Sequence, residues 1–139
     1  MDETWTEDEA GRVAARFFQD VASDLLKHGG VRVGREMQLR RSPAFVCAVY
    51  DRLAVILARK YHQSELDYET ADWFANQLES ELTQLVIDIW PKNGGPEPKL
   101  WHAVYEAFDA GEFYHFGRST DPVAEFTNPQ IIEFLSTHD

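Results

Sequence analysis

Apolar residues recur at intervals of three and four through most of the chain, the signature of helices with one buried stripe. In the first such segment the stripe is Ala10, Val13, Ala14, Phe17, Phe18, Val21 and Leu25. Thr6 and Glu9 precede it with capping-box spacing, so a helix is predicted to begin near Thr6 and to stop at Gly29-Gly30. Ser42 as cap and Pro43 at the first helical position open the second helix. There Val46, Val49, Tyr50, Leu53, Ala54, Ile56, Leu57 and Tyr61 cover a broad arc, with Ala44, Ala48, Val55 and Ala58 behind it. That width predicts a central helix contacted from two sides and ending near His62.

The third helix is predicted from about Asp67, with Ala71, Phe74, Ala75, Leu78, Leu82, Leu85, Val86 and Ile89 as its core face. It has to end by Trp90, because Pro91 disfavours a helical residue before it. Residues 91–98 form a glycine- and proline-rich loop or hinge. A fourth helix follows from about Lys99 to Ala110, burying Leu100, Trp101, Val104, Tyr105 and Phe108, with Gly111 as its cap. The aromatic run Phe113 to Phe116 fits helix and strand equally well. Asp121-Pro122 opens one short turn, and Asn128-Pro129 opens the last helix, with Asn128 as cap. The expected fold is all-α: a single domain over residues 1–139, built as a bundle of four main helices plus short C-terminal helices.

Composition narrows the function classes. The chain has 139 residues and a formal charge of −11, long enough to bury a core without disulfides. Its single cysteine, Cys47, forms no internal disulfide and reads as a small core residue. No apolar run is long enough to span a bilayer, and the acidic start Met1-Asp2-Glu3 is unlike a signal peptide, so a cytoplasmic location is expected. The charge is uneven. Lys27, Arg32, Arg35, Arg40 and Arg41 stand against Glu36 alone, whereas no Lys or Arg lies between Lys60 and Lys92. Such a field repels nucleic acid and anionic membrane and attracts basic partners.

No catalytic residue is predicted, because no GxSxG, Walker-type or GxGxxG motif is present. His102 and Glu106 have ligand spacing on one helix face, but they fall on the solvent side with no second pair to complete a set, so neither a metal nor a cofactor is expected. Two regions are candidate ligand or anion sites. One is the basic connection with Arg32, Arg35, Arg40 and Arg41, which lacks the Lys-Ser/Thr of a phosphate loop; the other is the aromatic run with Tyr114, His115 and Arg118.

The sharper anomaly lies on the third helix. Opposite its core stripe run Glu69, Trp73, Asn76, Ser80, Thr83, Gln84 and Ile87, with Asp72 on the outer side beside them, which places a tryptophan and an isoleucine in an acidic, polar row proposed to bind a partner. Interfaces seat aromatic anchors inside polar rims in this way. Either a protein partner, a second copy or the chain itself covers Trp73. The expected function is that of a non-enzymatic acidic protein binding a basic protein, comparable in size and charge to immunity proteins, antitoxins or adaptors. The alternative is a small-ligand-binding or enzymatic helical domain with a pocket near Tyr114, His115 and Arg118.

Overall fold

A computed structural model describes residues 5–27, 42–113 and 120–138. These residues form five α-helices and no strand, which is the all-α fold expected from the apolar spacing. The helices are α1 (Glu7–Lys27), α2 (Pro43–His62), α3 (Tyr68–Ile89), α4 (Lys99–Asp109) and α5 (Asn128–His138). Local chemistry sets most of the starts. Thr6 Oγ1 accepts the Glu9 N–H at 3.0 Å, Ser42 Oγ accepts the Phe45 N–H at 3.2 Å, and Asp67 Oδ1 accepts the Thr70 N–H at 2.8 Å. Each satisfies a donor that a helix N-terminus leaves unpaired. The stop predicted at Gly29-Gly30 lies outside the described residues.

α2 is the hub, in contact with each of the other helices. Trp5 against Phe45, Glu7 against Arg52 and Phe18 under Lys60 advance along α1 and α2 together, so these two helices run parallel. Tyr61 meets Tyr68 while Tyr50 reaches Leu78, which makes α3 antiparallel to α2. Asp51 meets Leu100 and Tyr61 meets Phe108, so α4 is parallel to it. The core is strongly aromatic. Trp101, Tyr50, Phe45, Phe74 and Phe108 are fully buried. Phe18 stacks on Phe74 at 4.5 Å, and Tyr50 stands edge-on to Trp101 at 5.3 Å. Such pairs add to the burial of their own area.

Three polar groups reach from this core to another element. The Tyr50 hydroxyl donates to the Leu78 carbonyl at 2.7 Å, Trp101 Nε1 to Glu79 Oε1 at 2.8 Å and Thr127 Oγ1 to the Ala107 carbonyl at 2.7 Å. α4 has Pro98 at its cap position and no local side-chain acceptor. Instead Asp51 Oδ1, from α2, accepts the N–H groups of Leu100 at 3.1 Å and Trp101 at 3.3 Å. A distant residue caps this helix.

Three local expectations are corrected. Asn128 is not an N-cap: its backbone is helical, and its side chain accepts the Tyr61 hydroxyl at 2.6 Å. The cap lies earlier, at Asp121, whose Oδ1 accepts the Ala124 N–H at 3.1 Å. Helical backbone then continues through Pro129 by widening into a π-turn over Val123–Thr127, where the Asn128 N–H reaches the Val123 carbonyl. Pro129 has no N–H for the preceding turn and its ring crowds that turn's carbonyl, which the wider turn relieves. Gly111 is not a left-handed cap either. It sits in a 3₁₀ turn (Ala110–Glu112), and a Cβ there would stand 2.8 Å from the Tyr68 hydroxyl and closer still to Thr127. Finally, Val86 is not core: it is 40% exposed.

Candidate interaction surface

The reason for that exposure is helix register. α3 has 22 residues and α4 has 11, roughly 33 Å against 17 Å at 1.5 Å per residue. They run antiparallel, and the start of α4 is pinned where Trp101 meets Glu79. The last two turns of α3 therefore extend past α4. Val86 and Ile87 project there, Ile87 at 70% exposure, alongside exposed Ser80, Thr83, Gln84 and Asp88. Gln84 Nε2 donates to Asp88 Oδ1 at 3.0 Å and Thr83 Oγ1 to the Glu79 carbonyl at 3.0 Å, which ties the polar side chains along the helix.

The outer row of α3 thus divides in two. Glu69 is exposed at its start, but Trp73 is only partly exposed, packed on the core and edge-on to Phe74 at 5.4 Å. Asn76 is tied to the turn after α4: its Nδ2 donates to Glu112 Oε2 at 3.0 Å and approaches Asp72 Oδ2 at 3.4 Å. Beyond Glu69, the distal part with Ser80 and Ile87 is the part that faces solvent. Of the row singled out from the sequence, the structure separates Asp72, Trp73 and Asn76 from Ser80 and Ile87.

Asp72 has an unusual environment. Its Oδ1 is buried and has no hydrogen-bond partner among the described residues. Burial, then the hydrogen-bonding proximity and charge of Glu112, then the charge of Asp109, push its carboxyl up to about 7, against a smaller opposing effect of Asn76. Burial, and after it the charges of the same carboxylates, raise the Tyr68 and Tyr105 phenols. Asp109 and Glu112 were not singled out in the sequence. One local signal pointed to them: acids at the C-terminal end of a helix oppose its dipole.

Other candidates carry less. Arg32, Arg35, Arg40, Arg41, Tyr114, His115 and Arg118 lie outside the described residues. His102 Nδ1 stands 3.4 Å from Glu97 Oε1 at the solvent edge. Among the described residues no group of three His, Cys, Asp or Glu side chains is arranged to hold a metal ion, and no helix is long and apolar enough to cross a membrane. Cys47 is buried, and burial followed by the charges of Asp51 and Glu97 pushes its thiol up to about 12, far from the reactive thiolate range. An open cleft of about 560 Å³ is lined by Gly11 of α1, Arg52, Val55 and Ile56 of α2, Leu100 of α4 and His138 of α5. Family models, curated proteins and solved structures give no match to this chain.

Proposed function

We propose that this is a non-enzymatic binding protein that engages a basic protein partner through the distal half of α3, in the manner of an immunity protein, antitoxin or adaptor. The observation that carries this reading is Ile87 with Val86, exposed large apolar side chains on a helix that has no Lys or Arg. Isolated exposed apolar residues are ordinary. Two adjacent ones, with Asp88 beside them and Glu79 and Glu81 a turn or two before, form a small apolar centre inside an anionic rim. A rim of one charge sign speeds and orients the approach of an oppositely charged partner. It also opposes pairing of this face with its own copy, which favours a basic protein over a homo-oligomer.

The partner would meet Ser80, Gln84 and Ile87 first, with Glu69 contributing long-range attraction. Trp73 contributes to the fold rather than to the contact. The lone, buried Cys47 fits a reducing, cytoplasmic setting, and the excess of acids disfavours nucleic acid as the partner. The test is affinity isolation of the tagged protein and its Ile87→Asp variant from the native cell, read by quantitative mass spectrometry. A basic protein, stoichiometric with the wild type and depleted about tenfold or more by the substitution, is expected, since a central apolar contact is worth at least about 1.4 kcal/mol. An acidic partner, or equal recovery by both forms, overturns the reading.

A further inference from the structure

We infer that Asp72 and Glu112 hold a single proton between them, and that this shared proton clamps the 3₁₀ turn after α4 onto α3, so that the joint leading from α4 toward α5 responds to pH. The geometry consists of three carboxyl groups at one junction. Asp72 comes from α3, Asp109 from the end of α4 and Glu112 from the turn. Asn76 Nδ2 lies 3.0 Å from Glu112 Oε2 and 3.4 Å from Asp72 Oδ2, so one amide is shared by two acids. The remaining Asp72 oxygen, Oδ1, is buried without a donor among the described residues. With both acids ionised, this arrangement would set two negative charges against each other and leave one buried oxygen unsolvated. With one proton bound, Asp72 donates to the Glu112 carboxylate, and the buried Oδ1 belongs to a neutral group.

The groups facing Asp72 supply no counter-charge among the described residues. On α3 they are Tyr68 and Asn76, on α4 Tyr105 and Asp109, and on the turn Glu112. The Tyr68 hydroxyl is itself committed to the Phe108 carbonyl at 2.5 Å. The turn that carries Glu112 is also the one whose Gly111 is seated against Tyr68 and Thr127. Losing the proton to solvent therefore turns attraction into repulsion at the place where the π-turn before α5 rests on the rest of the fold. Asp72 is held well above its ordinary value, to about 7, so the folded protein binds this proton more tightly than the unfolded chain does. The stabilisation it gives is fully present at acid pH. It is lost as pH rises from about 4 to about 7, and is flat above that range.

Carboxyl-carbon NMR titration of the intact protein tests this directly, because both acids are observed without substitution. The expected result is an Asp72 carboxyl that titrates near neutrality, with the Glu112 carboxyl resonance moving over the same step. Amide protection factors across residues 110–113, corrected for intrinsic exchange, are expected to fall about threefold to tenfold between pH 5.5 and pH 8. Asp72→Asn, which keeps the shape and donates to Glu112 at every pH, should remove that dependence. Glu112→Gln should bring the Asp72 midpoint down by at least one pH unit, as removal of a neighbouring charge does. Titration of Asp72 below pH 5, or the same pH dependence in Asp72→Asn, overturns the inference.

Discussion

Replacing Asp51 by alanine removes a helix cap that comes from another helix. In the folded protein Asp51 Oδ1 accepts the Leu100 and Trp101 N–H groups at 3.1 and 3.3 Å, and Pro98 at the cap position makes no side-chain cap bond. Loss of an N-cap side chain costs about 0.5–2 kcal/mol. Here two N–H groups lose one acceptor, which places Asp51→Ala toward the upper end. A compensating effect works the other way: burial outweighs the two N–H bonds and lifts the Asp51 carboxyl above its ordinary value, so its removal also relieves a desolvation cost. The expected net loss is about 1–2 kcal/mol, a fall in Tm of roughly 3–8 °C for a chain of this size. Asp51→Asn separates the hydrogen bonds from the charge, because the amide oxygen can accept the same N–H groups. It should cost less than about 0.5 kcal/mol. Urea melts followed by circular dichroism give both values, and native-state exchange at the Leu100 and Trp101 amides locates the effect. Asp51→Ala within 0.3 kcal/mol of wild type would refute the cap. Equal losses for alanine and asparagine would mean that charge, and not the hydrogen bonds, holds α4 in place.

Two backbone positions give further tests. Gly111→Ala would put a Cβ 2.8 Å from the Tyr68 hydroxyl and nearer still to Thr127; a loss of about 2–3 kcal/mol is expected from overpacking, and a denaturant melt unchanged from wild type would show that the turn can move aside. Ser64 occupies the left-handed region at φ 63°, while the Glu65 N–H bonds the Lys60 carbonyl at 2.9 Å and the Ser64 N–H bonds the Tyr61 carbonyl at 3.1 Å. That is the hydrogen-bond pattern of a Schellman cap, in which glycine is favoured at this position, so Ser64→Gly should raise stability by about 0.5–1 kcal/mol in the same assay, and a loss would show that the serine side chain has another role.

What was legible in the sequence was local. The caps at Thr6, Ser42 and Asp67 lie within three residues of the N–H groups they satisfy, so residue type and spacing locate them. The C-terminal region misled for the same reason: Asp121-Pro122 and Asn128-Pro129 present one signal twice. Nothing local reveals that a widened turn lets helical backbone run through the second proline. The functional features depend instead on register between helices. The contacts of Trp101 with Glu79 and of Tyr68 with the Phe108 carbonyl pin α3 against α4 at two points, and that single alignment has two consequences. It leaves Val86 and Ile87 beyond the reach of α4, and it delivers Glu112 to Asn76 and Asp72, residues some forty positions earlier in the chain. Sliding α4 by one turn toward the C-terminal end of α3 would begin to cover Val86 and would draw Glu112 away from Asn76. The apolar centre proposed to bind a partner and the carboxyl pair proposed to sense protons are thus products of the same packing choice.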